Sequence, residues 1–236
     1  MSDPLPEVEG VLSIAQGGGL PPKPSRAERA IPRKSSHHFV GQLTFGEERG
    51  EGKCLGFESK LEHDLALLLI YTPGVVDVYE QVEVFYVKAD GKHARHFIDY
   101  VAKEEGGRRT AVLVKPHHRA IRADFRDIAA RVACAVSPRI ADRVVIVTEK
   151  MLDPGRLALV AQFHACRFAQ PEFDAAVLAA VERIDEPLPV RDFLRLAGTG
   201  DAGFHAAVRL VRFGRIETLQ SGIVTLSSTV RRRLVH

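Results

Sequence analysis

The 236-residue sequence has few cysteines, no long apolar run and little net charge of either sign. Cys54, Cys134 and Cys166 are odd in number and far apart, which excludes a disulfide framework or a paired-cysteine metal site and favours a reducing, cytoplasmic location. The longest apolar run, Leu65 to Tyr71, is far shorter than the roughly 20 residues that span a bilayer, so we expect no membrane association. The opening residues, MSDPLPEVEG, lack a basic start and an apolar segment, so no secretory signal is predicted.

The composition is that of an ordinary globular protein, with 45% hydrophobic and 27% charged residues. The net charge of +3 permits nucleic-acid binding without requiring it. Residues 1–36 are rich in proline and glycine and poor in large apolar side chains, so we predict a disordered N-terminal arm. The main domain is expected at 37–150 and a smaller domain at 151–236.

The main domain alternates between helical and strand-like patterns. The pattern predicts an α/β fold in which helices flank one sheet. The predicted order is a helix, three antiparallel strands, a helix and a last strand: 58–71, 75–87, 93–101, 109–114, 119–135 and 143–149.

The C-terminal region has a different rhythm, with short helices and a small hairpin. After a helix at 157–168, the predicted elements are helices at 174–184, 190–197 and 202–213 and strands at 215–219 and 223–226. Three helices followed by a hairpin are typical of a winged-helix-like domain.

Two neighbouring strands of the predicted sheet carry a carboxylate and a lysine. A turn near Glu105 to Gly107 pairs residues whose numbers sum to about 212, which places Asp99 opposite Leu113. Lys115 then lies on the same face as Asp99, about 7–8 Å away across the diagonal. The first helix offers Glu58 and Glu62, one turn apart, and is expected to cover that face.

Acidic side chains beside a lysine are the layout of metal-dependent phosphodiester cleavage. Carboxylates hold Mg²⁺, which lowers the pKa of a bound water, and a lysine stabilises the charge that develops on phosphate. Without further support, an Asp, a Glu and a Lys at these spacings are more often surface residues.

The run FESKLEHDLALLLIYTPGVVDVYEQ, residues 57–81, resembles the start of the TnsA-type transposon endonuclease N-terminal domain. Similar family motifs follow in order: Ile98-Asp99-Tyr100, Leu113-Val114-Lys115-Pro116 and Thr148-Glu149-Lys150. The resemblance covers about residues 40–150 and implies a PD-(D/E)xK, restriction-endonuclease-like mixed sheet flanked by helices.

By position in this family, Glu62 and Asp99 are expected to hold Mg²⁺, for which Mn²⁺ substitutes, and Lys115 is expected to be the catalytic lysine. The chain departs from the family at Leu113, where many nucleases of this fold have an acidic residue or glutamine. Leucine cannot coordinate Mg²⁺ through its side chain, so the backbone carbonyl of Val114 is the expected third ligand.

The resemblance implies a DNA endonuclease that cuts the 5′ strand ends of a mobile element, together with a DDE-type transposase subunit and an ATPase regulator. Two alternatives stay open. The chain is either a catalytically degenerate DNA- or partner-binding copy of this fold, or a stand-alone restriction- or repair-type nuclease.

Three residues near the predicted site have two interpretations each. Gln81 either positions a water or a phosphate or makes a structural hydrogen bond. His117 either contacts substrate or belongs to a solvated loop, and Glu58 either shares the metal with Glu62 or does not.

Two sets of basic residues are candidates for DNA contact. The residues after Lys115 have helical spacing and form either a DNA-facing stripe or an ordinary charged face. The residues near the C-terminus suit either a recognition helix with a basic tail or a domain that contacts protein. The candidates are Arg119, Arg122, Arg126, His205, Arg209, Arg212, Arg231, Arg232 and Arg233.

Overall fold

The computed structural model describes residues 21–31, 39–46 and 52–233. The α-helices are α1 (Lys60–Ile70), α2 (His117–Ala120), α3 (Ala123–Ala135), α4 (Pro154–Ala165), α5 (Pro171–Ala180), α6 (Val190–Leu196) and α7 (Phe204–Arg212). The strands are β1 (Gly41–Phe45), β2 (Lys53–Phe57), β3 (Val75–Val87), β4 (His93–Glu104), β5 (Arg109–Val114), β6 (Arg143–Val147), β7 (Leu188–Pro189), β8 (Ile216–Thr218) and β9 (Thr229–Arg232). The predicted α/β class is therefore confirmed.

The central sheet has four strands in the order β3-β4-β5-β6, with β5 and β6 parallel and the other pairs antiparallel. Tyr100 pairs with Val112 and Val101 with Ala111, so the register that the turn near Glu105 predicts is confirmed. The smaller antiparallel pair β1–β2 was not predicted from the sequence pattern.

Helix α1 begins at a side-chain cap and buries its leucine stripe. Ser59 accepts a hydrogen bond from the Glu62 N–H at the first turn, which stabilises the helix start. Leu65 is buried, and the other predicted stripe residues pack against the same core. The helix ends before Thr72-Pro73-Gly74, where Gly74 takes a positive φ of 84°.

Two hydrophobic clusters lie on the central sheet. Cluster 1 contains Leu65 of α1 with Val78 and Tyr100, and cluster 2 contains Ala129 of α3 with Ile98. In a regularly pleated strand, residues i, i+2 and i+4 lie on one face of the sheet. Val78 nevertheless packs in cluster 1, whereas Val82 packs against cluster 2. The change coincides with Gln81, whose φ of 49° rotates the strand.

Two predicted elements differ from the observed ones. The helix expected at 119–135 is broken between α2 and α3, because Arg122 is extended (ψ 139°) and serves as the N-cap of α3. The strand expected at 223–226 is wrong, and β9 begins only at Thr229. The Val224 N–H donates to Gln162 Oε1, and the Val224 carbonyl accepts from Gln162 Nε2. The backbone of Val224 therefore bonds to a residue of α4 instead of a neighbouring strand.

The C-terminal region contains α5, β7, α6, α7, β8 and β9 in chain order, and its three strands form a sheet ordered β7-β9-β8. Cluster 1 continues into this region through Phe193, Ala206 and Val230. The two regions therefore share one hydrophobic core. In the described parts of the chain, every helix is too short or too polar to cross a membrane.

Residues 21–31, here called the N-terminal segment, differ from the predicted disordered arm. Lys23 exchanges backbone hydrogen bonds with Gly52 and Cys54 beside β2. The segment then continues along β3, the edge strand, where Arg26 binds Asp77. Backbone hydrogen bonds and side-chain ion pairs hold the segment in place. The rest of the predicted arm, 1–20 and 32–36, lies outside the described residues.

Candidate functional site

Asp99 lies in β4, next to Tyr100. The pair Tyr100–Val112 is the last one between β4 and β5 at this end of the two strands. Its Oδ2 accepts a hydrogen bond of 2.7 Å from the N–H of Val114. Asp99 is thus held where the two strands separate. The side chain is half-buried, so protein surrounds the carboxylate while some solvent access remains.

Burial raises the pKa of Asp99 to about 7. The hydrogen bond from Val114 and the positive charge of Lys115 lower this pKa, the carboxylate of Glu62 raises it, and Arg29 lowers it slightly. The structure therefore brings Asp99, Lys115 and Glu62 within electrostatic range of one another. A carboxyl with a pKa near neutrality is typical of functional sites.

Lys115 follows β5 directly, and its N–H donates to the Val147 carbonyl at 3.1 Å. Its Nζ lies 5.8 Å from the centre of the Phe125 ring on α3. Burial lowers the pKa of His96, and the Lys115 charge lowers it further. Lys115 therefore contributes a half-buried positive charge on the α3 side of the sheet.

Glu62 is engaged in capping α1. Its Oε2 accepts from the Glu58 N–H at 2.8 Å, and its Oε1 accepts from the Ser59 hydroxyl at 3.0 Å. This is close to a capping box, which a sequence of the form S-x-x-E favours. Each oxygen keeps a second lone pair, so the capping bonds leave acceptor capacity for a cation.

Helix α1 does not cover the sheet face that carries Leu113, which corrects the prediction. Leu113 is 1% exposed and packs in cluster 2, whereas α1 packs in cluster 1. The prediction assumed a flat sheet. It therefore included neither the twist of β3 at Gln81 nor the separation of β4 from β5. Glu62 and Lys115 consequently belong to different layers, Glu62 to α1 and Lys115 to the α3 side of the sheet.

Gln81 and Glu58 are joined by Arg29 of the N-terminal segment. Arg29 Nε donates to Gln81 Oε1 at 2.6 Å, and its Nη1 donates to Glu58 Oε1 at 3.0 Å. The pairs Glu80–Tyr100 and Val82–Ile98 flank Gln81 and Asp99, so the β3–β4 register sets these two residues opposite each other, and Gln81 is 1% exposed. Sequence reasoning missed Arg29 because it lies in a proline-rich region, where a basic bias was the only signal.

Two carboxylates, those of Asp99 and Glu62, have the chemistry that a hard divalent cation prefers. Their oxygens would be the side-chain ligands, and a bound cation would offset the cost of ionising Asp99 in its half-buried position. Glu58 is already paired with Arg29. Within the described ranges, no three acidic, histidine or cysteine side chains converge as a metal-ligand group. A third ligand would have to be backbone, as predicted for the Val114 carbonyl.

His117 begins α2, and its N–H donates to Glu149 Oε2 at 2.8 Å, which lowers the pKa of Glu149. This bond ties the residues after β5 to those after β6. A contact of the His117 ring with substrate stays a prediction.

The three arginines after Lys115 do not form one helical stripe, which corrects the spacing argument. Arg119 is in α2, Arg122 is the N-cap residue of α3, and Arg126 is in α3. All three are exposed, and Arg122 pairs with Asp124. DNA contact by these residues stays a prediction, without the support of a common helix face.

Arg209 is buried, which corrects its assignment as a DNA-contacting residue. It is 5% exposed and bonds to Asp174 Oδ1 at 2.6 Å and to the Cys166 carbonyl at 2.7 Å. The helical period placed Arg209 on a polar face, but α5 covers that face. Arg212 lies 4.5 Å from the centre of the Tyr71 ring at the end of α1, so it lies at the junction of the two regions.

The other C-terminal candidates are more accessible. His205 and Arg233 are exposed. Arg231 pairs with Glu217, and Arg232 pairs with Glu182 at 2.6 Å. These ion pairs offset part of the local positive charge, and DNA contact by the four residues stays a prediction.

No protein-family model matches this chain, and no curated protein matches it either. The residues themselves therefore carry the functional argument.

Proposed function

We propose that the protein is a divalent-metal-dependent DNA endonuclease that hydrolyses phosphodiester bonds. One observation carries this proposal: the Asp99 carboxylate accepts the Val114 N–H where β4 and β5 separate, within electrostatic range of both Lys115 and Glu62. A carboxylate that is unfavourably ionised beside a second carboxylate is suited to a cation, and the lysine is suited to a phosphate.

The fold is consistent with the proposal. The main domain has the order helix, three strands, helices and a strand in a mixed four-stranded sheet, which is the arrangement expected of a restriction-endonuclease-like domain. The order α5, β7, α6, α7, β8, β9 is that expected of a winged-helix-like domain. Both assignments belong to the proposal.

Each residue of the site has a role in this mechanism. Asp99 and Glu62, with the Val114 carbonyl, would hold Mg²⁺ or Mn²⁺, and such an ion lowers the pKa of water and polarises a phosphate. The Val114 N–H orients the Asp99 carboxylate. Lys115 places a positive charge beside it, suited to the additional negative charge of the transition state. Gln81 lies opposite Asp99 in the register that the flanking pairs define, and its buried amide, bonded to Arg29, is suited to orienting a water through its NH₂ group.

The more specific role follows from the resemblance to TnsA-type endonucleases. It consists of cutting the 5′ strand ends of a mobile element beside a DDE-type transposase subunit and an ATPase regulator. These partners enter the proposal through the motifs at residues 57–81, 98–100 and 113–116.

The test is metal-dependent nicking of supercoiled plasmid by the full chain in Mn²⁺ and in Mg²⁺. Asp99→Ala is expected to abolish nicking, because it removes the central carboxylate. Asp90→Ala is the matched control, since Asp90 lies in the turn between β3 and β4 and its side chain is 52% exposed. Equal nicking by the wild type and Asp99→Ala would contradict the proposal.

A second candidate, a DNA- or partner-binding module without catalysis, is favoured by two observations. Leu113, at the position where related nucleases carry a ligand, is buried in cluster 2. Both oxygens of Glu62 already cap α1. In this case the fold would persist while the metal site is lost.

Metal binding separates the two candidates. Mn²⁺ should raise the melting temperature of a protein with an intact site, by mass action on the folded state, and Asp99→Ala should remove that increase. An unchanged melting temperature in the wild type, together with no nicking, would favour the binding module.

A further inference from the structure

We propose that Arg29 is a positioning residue of the candidate centre and that the N-terminal segment completes the site by holding Gln81 opposite Asp99 and by pairing with Glu58. This inference rests on the proposed nuclease function. It assigns a role to residues that the resemblance, which covers about 40–150, does not include.

The segment is fixed to the sheet at several points before it reaches the site. Arg26 donates to both carboxylate oxygens of Asp77, at 2.8 and 3.0 Å, and lies 4.0 Å from the centre of the Tyr79 ring. Ser25 donates to Glu80, which is fully buried, at 2.5 Å. These contacts tie Ser25 and Arg26 to β3 between Asp77 and Glu80, so the strand fixes the chain just before Arg29.

Past these anchors, the backbone of the segment contacts the residue opposite Asp99. The Glu28 N–H donates to the Gln81 carbonyl at 3.2 Å, and the Glu28 carboxylate accepts from the Glu83 N–H at 2.5 Å. Gln81 has a φ of 49°, which is unfavourable for a residue with a side chain. The bond from Glu28 to the Gln81 carbonyl and the bond from Arg29 to the Gln81 side chain help to hold this conformation.

The Arg29 guanidinium makes three hydrogen bonds, one to Gln81 and two to Glu58. Because the Gln81 oxygen accepts from Arg29, the orientation of the amide is fixed and its NH₂ group is left for other partners. The ion pair also engages Glu58, which keeps a further carboxylate from competing for the cation. Arg29 thus acts through Gln81 and Glu58, without a required contact to substrate.

The test compares Mn²⁺-dependent nicking of supercoiled plasmid by full-length wild type, Arg29→Ala, Arg29→Lys and Arg95→Ala. Arg95 is the matched control, because its guanidinium lies 5.5 Å from the centre of the Phe97 ring, as that of Arg29 does at 5.6 Å, and it pairs with Glu83 instead of Glu58. Loss of a residue that supports a metal site typically costs about 10–100-fold in activity or metal affinity. We expect kcat to fall by about this factor in Arg29→Ala, with KM within about twofold of wild type.

Arg29→Lys should recover part of the lost kcat, since it keeps the charge and loses the fork of donors. Arg95→Ala should have the kcat of the wild type, and all variants are compared well below their melting temperatures. The rise in melting temperature that Mn²⁺ causes, which does not depend on nicking, should shrink in Arg29→Ala and match that of the wild type in Arg95→Ala. Three results would overturn the role of Arg29 alone. They are a wild-type kcat in Arg29→Ala, a fall in kcat no larger than that of Arg95→Ala, and a fall in kcat/KM that comes only from a change in KM. Absence of Mn²⁺-dependent nicking in the wild type would overturn the nuclease proposal, and this inference with it.

Discussion

Replacing Asp99 by Asn should stabilise the protein at alkaline pH. Burial raises the pKa of Asp99 from 3.8 to about 7, so the folded state resists ionisation of this carboxyl. Asparagine is nearly isosteric, cannot ionise, and keeps an oxygen to accept the Val114 N–H. The variant therefore removes the cost of the charge and retains the hydrogen bond.

The magnitude follows from the two pKa values. Below about pH 3.8 the carboxyl is protonated in the folded and the unfolded protein, and its contribution to stability is fully present. As the pH rises towards 7, only the unfolded state loses the proton, and the contribution falls by about 4 kcal/mol at about 1.4 kcal/mol per pH unit. Between pH 5 and pH 8, the advantage of Asp99→Asn should grow by about 2.5 kcal/mol.

The assay is urea unfolding of wild type and Asp99→Asn at pH 5 and pH 8 without divalent metal. The difference between the two free energies of unfolding isolates Asp99, because every other group titrates in both proteins. A difference that is the same at both pH values would refute the assignment of a buried carboxyl with a raised pKa.

Three further changes follow from other contacts. Arg209→Ala should lower the free energy of unfolding by about 3 kcal/mol, measured in urea, because it leaves Asp174 without its buried cation; a loss near zero would contradict the burial of this pair. Leu113→Ala should cost about 3 kcal/mol in the same assay through the cavity left in cluster 2, whereas a solvent-facing Leu113 would cost little. Burial raises the pKa of Asp77, but hydrogen bonds from Arg26 and Lys53 outweigh it and lower the pKa to about 2. Stability from this group is present above about pH 4 and is lost as the pH falls through 2, so the acid unfolding of Asp77→Asn should lack this component.

The core of the candidate site could be predicted because it depends on local rules. A turn near Glu105 fixes the β4–β5 register, and alternation along the strands then brings Asp99 and Lys115 together. Ser59 and Glu62 have the spacing of a helix cap, so the start of α1 is also encoded locally.

The remaining features depend on contacts that are distant in sequence. Arg29 bonds to Gln81 across 52 positions, which a proline-rich composition does not reveal. The periodicity of α7 shows that Arg209 lies on a polar face, but not that Asp174 of α5 covers it. The strand expected at 223–226 is absent because Gln162, far away in the chain, bonds to Val224.

The most direct test of the central claim is the rate of Mn²⁺-dependent nicking of supercoiled plasmid by the wild type and by Asp99→Asn. This substitution keeps the shape of the side chain and removes the negative charge. The account predicts nicking by the wild type and a loss of at least about 100-fold in the variant, as is typical when a group essential to the transition state is removed. Nicking by Asp99→Asn at the wild-type rate would contradict the account.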